Sequence, residues 1–122
     1  MHKSRLCGYV IDCENADLDA ASRFWSAALG RAETAREGDY RTLAARDSEP
    51  LLLLQKVAHA SRIHLDIETD DIEAEVARLE ALGAKRVAFV HRWWVMEAPT
   101  GHRFCVVRLQ RGPLGDDANV WP

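Results

Sequence analysis

The length and composition are those of one globular domain with no nucleic-acid or membrane partner. The 122 residues are 48% hydrophobic and 29% charged, and 19 acidic against 16 basic side chains leave a net charge of −3. Domains cluster near ~100–150 residues, and a nucleic-acid-binding domain is expected to carry a basic excess. No apolar run approaches the ~20 residues of a membrane span, and the charged N-terminus lacks the apolar core of a signal peptide.

The cysteines indicate a reducing compartment. Cys7, Cys13 and Cys105 are odd in number and form no C-x-x-C pair, so neither a disulfide framework nor a zinc ribbon is expected. We therefore expect free thiols and a cytoplasmic protein.

The first half of the chain predicts a strand, a helix and three further strands. After a β-type segment around Val10, a helix is expected from about Asp17 to the residue before Gly30, which suits its C-terminal turn. The expected apolar stripe comprises Leu18, Ala21, Phe24, Trp25, Ala28 and Leu29. The β-type segments that follow are Arg31–Glu37, Tyr40–Ala45 and Leu51–Val57.

The second half repeats this pattern. Residues 64–72, His-Leu-Asp-Ile-Glu-Thr-Asp-Asp-Ile, are similar to residues 10–18, Val-Ile-Asp-Cys-Glu-Asn-Ala-Asp-Leu. A helix is expected from about Asp71 to Leu82, with Asp70 as its N-terminal cap and Gly83 at its end. The strands expected after it are Ala84–Val90, Arg92–Glu97 and Arg103–Leu109.

The repeat predicts an α+β fold of two paired βαβββ modules, at about residues 5–57 and 61–110, within one domain of residues 1–110. One helix covers only one face of a four-stranded sheet, so pairing is expected to form curved sheets around a cleft, where ligands bind preferentially. Residues 111–122, with two glycines and two prolines, are expected to be a C-terminal extension that contacts a partner or solvent.

Four motifs in this order resemble the vicinal oxygen chelate superfamily of glyoxalases, bleomycin resistance proteins and dioxygenases, and within it the glyoxalase-like domain branch. They are Phe24-Trp25-Ser-Ala-Ala-Leu29-Gly30, Arg62-Ile-His64-Leu-Asp66-Ile, Leu82-Gly83-Ala84 and Ala98-Pro-Thr-Gly-His-Arg-Phe-Cys105. The resemblance covers about residues 5–110 and implies paired βαβββ modules, a homodimer, and a cleft for a divalent metal or an organic ligand. Because the superfamily includes both enzymes and binding proteins, it leaves the function open.

The resemblance also implies where a metal would be bound. In metal-dependent members the ligands come from the first and last strands of each module. The repeat maps these positions onto Val10, Leu53 (or Gln55 in a shifted register), His64 and Cys105. Valine and leucine cannot coordinate, and a His64–Cys105 pair has too few ligands for a zinc site. No metal is therefore expected, and a divalent metal is the alternative.

Five residues are candidates for ligand binding: His64, Asp66, Trp93, Trp94 and Cys105. His64 is the candidate base because its pKa range suits proton transfer, and a histidine merely satisfied by its neighbours is the other interpretation. Trp93 and Trp94 are adjacent on a strand and must face opposite ways. Cys105 is either a buried, inert thiol or a nucleophile activated by His64.

Asp12 and Asp66 occupy equivalent positions in the repeat. They form either a pair of carboxylates for acid–base work or, as we expect, separate groups that hydrogen-bond backbone N–H groups at the start of each helix.

We expect a glyoxalase-like homodimer that binds a small organic molecule in the cleft without a metal. The alternative is a metal-dependent or His64-based lyase, isomerase or dioxygenase-like enzyme. A third possibility is a degenerate module that serves only as a protein partner.

Overall fold

The computed structural model describes residues 1–122, which form two helices and nine strands. In chain order these are β1 His2–Glu14, α1 Leu18–Leu29, β2 Glu33–Glu37, β3 Tyr40–Leu43, β4 Leu51–Val57, β5 Arg62–Thr69, α2 Ile72–Ala81, β6 Lys85–Val90, β7 Trp93–Glu97, β8 Arg103–Val107 and β9 Asn119–Trp121. The β-α-β-β-β order occurs twice, which confirms the predicted α+β fold of two βαβββ modules. Neither helix has the length and apolar character needed to span a membrane.

The chain divides into two compact units, Gly8–His64 and Leu65–Pro122, the latter together with Met1–Cys7. Their boundaries fall inside β1 and β5, so each unit contains part of both strands. We refer to them as the 8–64 unit and the 65–122 unit.

The sheet of the 8–64 unit has β1 beside β4, then β3 and β2. β1 and β4 are parallel over seven residue pairs, from Gly8–Leu51 to Glu14–Val57. Helix α1 covers one face. Asp17 caps α1 by accepting hydrogen bonds from two backbone N–H groups, and the helix ends where Gly30 adopts a left-handed φ of 66°.

The predicted apolar stripe of α1 is only partly correct. Leu18 is buried, and Ala21 and Trp25 pack with it against Ile11, Cys13 and Leu54 of the sheet. Phe24 is 62% exposed and Leu29 is also exposed. Ser22 is buried instead, and its hydroxyl donates to Glu33 at 2.8 Å. The buried face is narrower than the apolar spacing indicates, because a polar side chain with a partner occupies part of it.

The sheet of the 65–122 unit runs β5, β8, β7, β6, with β5 and β8 parallel. Helix α2 packs through Val76 and Leu79 onto Met96 and Val106. The predicted cap of this helix is wrong by one residue. Asp71, not Asp70, accepts from the backbone N–H of Ala74. β5 continues to Thr69, and the carboxylate of Asp70 instead accepts from the backbone N–H of Lys3 on β1.

Strand β9, in the C-terminal segment, was not predicted. It pairs antiparallel with the start of β1, from His2–Trp121 to Ser4–Asn119. The Trp121 indole N–H donates to the buried Ser4 hydroxyl at 2.8 Å, and the Arg78 guanidinium lies 3.8 Å from the Trp121 ring centroid. These contacts attach the end of the chain to the 65–122 unit.

A buried ion pair holds the preceding part of the C-terminal segment. Arg5 donates to the fully buried Glu68 at 2.6 Å and to Asp117 at 2.8 Å. Glu68 also accepts from the backbone N–H groups of Gln110 and Arg111. Both carboxylate oxygens of Glu68 therefore have partners, as a buried charge requires.

Replacing Trp121 with alanine is expected to lower the free energy of unfolding by about 1–3 kcal/mol, because it leaves the buried Ser4 hydroxyl without its donor and removes the ring under Arg78. Trp121→Phe keeps a ring but not the N–H, so its loss should be smaller. Urea denaturation measures both. Equal stability of Trp121→Ala and the native chain would contradict the stabilising role of this segment.

Candidate functional site

A buried carboxylate and an imidazole form the centre of the candidate site. In the 8–64 unit, Nδ1 of His64 lies 2.8 Å from Oδ2 of Asp12. The Asp12 side chain is 2% exposed and the His64 side chain 11%. Ile11 and Cys13, on either side of Asp12, pack against α1, so the alternation of a strand directs Asp12 to the opposite face. We call this surface, the one not covered by the helix, the helix-free face.

The contact with His64 overturns the expected role of Asp12 at the start of α1. Asp17 caps that helix, since its carboxylate accepts from the N–H groups of Asp19 and Ala20. β1 continues to Glu14, so Asp12 lies within the strand and too far from the first turn of α1 to cap it. Asp66 likewise lies within β5, which continues to Thr69, and the cap of α2 is Asp71.

The hydrogen bond defines how the imidazole is oriented. A carboxylate accepts, so the nitrogen facing Asp12 carries the hydrogen and Nε2 becomes the basic position of the neutral ring. The second carboxylate oxygen, Oδ1 of Asp12, is buried without a hydrogen-bond partner. Two further basic side chains lie near the other oxygen: His59 Nε2 and Arg62 Nε are each 3.7 Å from Oδ2.

Asp66 and Cys105 meet on neighbouring strands. Asp66 of β5 is the register partner of Cys105 of β8, and Asp66 lies two residues along the same strand from His64. Two of the five predicted site residues, Asp66 and Cys105, are therefore neighbours.

The four-ligand metal set implied by the resemblance does not fit this chain. Val10 is 2% exposed and apolar, and Leu53 is its register partner. Gln55, the alternative to Leu53 in the shifted register, is the structural equivalent of Cys105. Gln55 is the register partner of Asp12, and Cys105 is the register partner of Asp66, which occupies the same position in the repeat as Asp12. The amide of Gln55 donates to the Tyr40 hydroxyl at 2.9 Å.

Two donors on neighbouring strands are compatible with a metal. Asp66 and Cys105 offer oxygen and sulfur, both of which zinc accepts, and catalytic zinc is commonly held by three protein ligands. The histidines other than His64 have partners elsewhere. His2 bonds Glu75, His59 and His102 hydrogen-bond to Ala60 and Thr100 beside them, and His91 contacts the Trp93 ring.

The two neighbouring tryptophans take different environments. Trp94 packs with the α2 core, donates from its indole N–H to Glu73 at 3.2 Å, and has the Arg86 guanidinium over its ring. Trp93 points to the other face of β7 and lies 5.3 Å from the His91 ring. Trp93 is thus the tryptophan on the face of β7 that points away from α2. That either ring contacts a ligand stays a prediction.

The buried thiols outside this group are poorly suited to reaction. Burial raises the pKa of the Cys7 thiol, and the Glu68 and Asp66 carboxylates raise it further. Burial also raises the pKa of Cys13, with a contribution from Asp12. Both groups therefore stay as thiols at neutral pH and serve as small apolar residues.

Sequence reasoning missed the surroundings of Asp12. The positions of His59 and Arg62 beside Asp12 are not among the sequence predictions, which include Arg62 only as part of a motif. One signal was available: no acidic residue occurs between Glu49 and Asp66, while Lys56, His59, Arg62 and His64 all fall there.

Comparison with known proteins identifies the family. The family model of the glyoxalase-like domain matches residues 8–107, so the chain belongs to the glyoxalase-like domain family. This confirms the resemblance seen in the sequence. No curated protein matches the chain.

Solved structures share the fold. Methylmalonyl-CoA epimerase from Mycobacterium tuberculosis is 20% identical, with 84% of this chain and 86% of that chain covered and a TM-score of 0.62. The Mn(II)-bound glyoxalase from Novosphingobium aromaticivorans is 18% identical, with 88% of this chain and 40% of that chain covered and a TM-score of 0.62. An extradiol ring-cleaving dioxygenase from B. fuscum is 16% identical, with 88% of this chain and 34% of that chain covered and a TM-score of 0.58. This chain thus spans well under half of the last two.

The Asp12 contact predicts which ring nitrogen of His64 carries the hydrogen. In the neutral ring it should be Nδ1, and Asp12→Ala should remove that preference because the acceptor is lost. Nitrogen-15 NMR of the histidine rings distinguishes the two tautomers. His102, which bonds Thr100 instead, serves as the internal control. A neutral His64 with its hydrogen on Nε2 would contradict the contact.

Proposed function

We propose that the chain binds a small organic carbonyl compound beside His64 and that the Asp12–His64 pair transfers a proton to and from it without a metal. The observation that carries this proposal is the 2.8 Å contact between the imidazole and a carboxylate that is only 2% exposed. A buried carboxylate that orients a histidine is the arrangement by which proteins hold an imidazole as a general base.

The proposed chemistry starts at Nε2 of His64. This nitrogen takes a proton from a carbon next to the carbonyl group, and the resulting imidazolium is stabilised by the Asp12 carboxylate at Nδ1. The carbon–hydrogen electron pair moves into the enolate. Returning the proton from Nε2 to the same carbon after the enolate has turned over, or to a neighbouring carbon, gives an isomerase. Loss of a leaving group from the enolate, with the proton passed on to it, gives a lyase.

Similarity of fold supports this reaction class. One of the proteins that share the fold is a methylmalonyl-CoA epimerase, and an epimerase inverts one stereocentre. At 20% identity the likeness extends to the fold alone, so the argument for proton transfer depends on Asp12 and His64 themselves.

Proton transfer is measured as deuterium incorporation from D₂O, followed by NMR with methylmalonyl-CoA and a panel of 2-hydroxyketones and 3-keto acids as probes. His64→Gln should lower the exchange rate by about 100-fold or more, the usual contribution of a general base. Asp12→Asn should lower it less, because an amide still orients the ring but stabilises its charge poorly. His102→Gln is the matched control and should exchange normally. Equal rates in the native protein and His64→Gln would contradict the proposal.

A metal-dependent reaction is the second candidate, favoured by the donor side chains of Asp66 and Cys105, which are register partners on β5 and β8, and by the fold shared with a Mn(II)-bound glyoxalase. A divalent metal bound by Asp66 and Cys105 would act as a Lewis acid on a carbonyl oxygen.

Elemental analysis of protein purified without chelator decides between the two candidates. The first predicts less than stoichiometric metal and no change in metal content on Cys105→Ala. Stoichiometric zinc, manganese, iron or nickel that is lost in Cys105→Ala, but retained in the control Cys13→Ala, would replace the first candidate with the second. Cys13 is a suitable control because it packs on the α1 side of the sheet.

A further inference from the structure

Three basic side chains lie around the single carboxylate of Asp12. One carboxylate faces His64 at 2.8 Å and His59 and Arg62 at 3.7 Å. Arg62 is permanently charged, so it alone balances Asp12. Glu14, two residues along β1, forms no ion pair with Arg62, and its backbone N–H donates to Ser61.

Arg62 is held in place with most of its donors uncommitted. Its 3.7 Å separation from Asp12 is beyond hydrogen-bond distance. Its hydrogen bond runs from Nη2 to Nε2 of His59 at 3.3 Å. The side chain is 44% exposed. A guanidinium has five N–H donors in a fixed planar fork that matches the two oxygens of a carboxylate or phosphate.

His59 acts as the support for that guanidinium. Its Nδ1 lies 2.8 Å from the carbonyl oxygen of Ala60, which can only accept. The hydrogen of the neutral ring is therefore on Nδ1, and Nε2 is left to accept from Arg62. Both nitrogens of His59 are thereby used, so Arg62, and not His59, is the group that presents donors outward.

We propose that Arg62, positioned by His59, binds an oxyanion of the ligand while His64 contacts its reacting carbon, so that the ligand is a small organic acid or phosphate ester. This inference rests on the proposed function of His64 as the base. It adds the substrate class: a carbonyl compound with a negatively charged group, selected over its neutral analogue by a charge that lies beside the base. The chemistry shared by a carboxylate and a phosphate is two or more oxygens that accept from one guanidinium.

Three probes of similar shape test the proposal: benzoate, phenyl phosphate and the neutral benzamide. Binding is followed by the ring resonances of His64 in NMR titrations. In the native protein, benzoate or phenyl phosphate should bind about tenfold or more tightly than benzamide, as expected for a charge-assisted hydrogen bond. The tighter of the two anions identifies whether a carboxylate or a phosphate fits.

Matched variants assign the effect to Arg62. Arg62→Gln should weaken the binding of both anions by about tenfold and leave the binding of benzamide unchanged. His59→Ala should weaken the binding of the anions by a smaller factor, because the guanidinium remains but loses its support. Arg23→Gln, an exposed arginine on α1, should change nothing.

Each contrary result has a distinct meaning. Equal binding of benzoate and benzamide at His64, unaffected by Arg62→Gln, overturns the role of Arg62 and leaves the proposed function intact. Anion binding that depends on Arg62 but leaves the His64 resonances unmoved also overturns the inference, because the anion site is then separate from the base. No response of His64 to any probe contradicts both the inference and the proposed binding site.

Discussion

A carboxylate buried on β1 is the constraint on which the candidate site depends. Asp12 is 2% exposed, and a charge removed from water costs several kcal/mol unless a partner is supplied. That partner is the imidazole of His64. Because Oδ1 is buried without a hydrogen bond, the carboxylate also depends on basic side chains nearby to offset its charge. The need to compensate Asp12 thus explains why His64 presents Nδ1 inward and why His59 and Arg62 lie close, each 3.7 Å from Oδ2.

The two modules have diverged at equivalent positions. Asp12 pairs with Gln55 in the first module, and Asp66 pairs with Cys105 in the second. The first module has an apolar Val10 where the second has His64, which removes one of the four ligands that the resemblance implies. What the first module contributes instead is a carboxylate, Asp12, that hydrogen-bonds the histidine.

The sequence predicted the local structure well, because periodicity, caps and glycines are local signals. Both helices begin and end within a residue or two of expectation. The failures were long-range. Asp12 was assigned to its own helix because its partner lies 52 residues away. Strand β9 was missed because its three residues gain their hydrogen bonds from the opposite end of the chain. Phe24 was misplaced because spacing alone does not reveal that Ser22, which is buried, has a hydrogen-bond partner in Glu33.

The central claim is that Asp12 and His64 act on the ligand as one unit. A double-mutant cycle on proton exchange tests this most directly, comparing Asp12→Asn, His64→Gln and the double variant in D₂O. Groups that function together are strongly non-additive, so the double variant should exchange no more slowly than His64→Gln alone. A double variant whose loss equals the product of the two single losses would show that the residues act independently and would contradict the account.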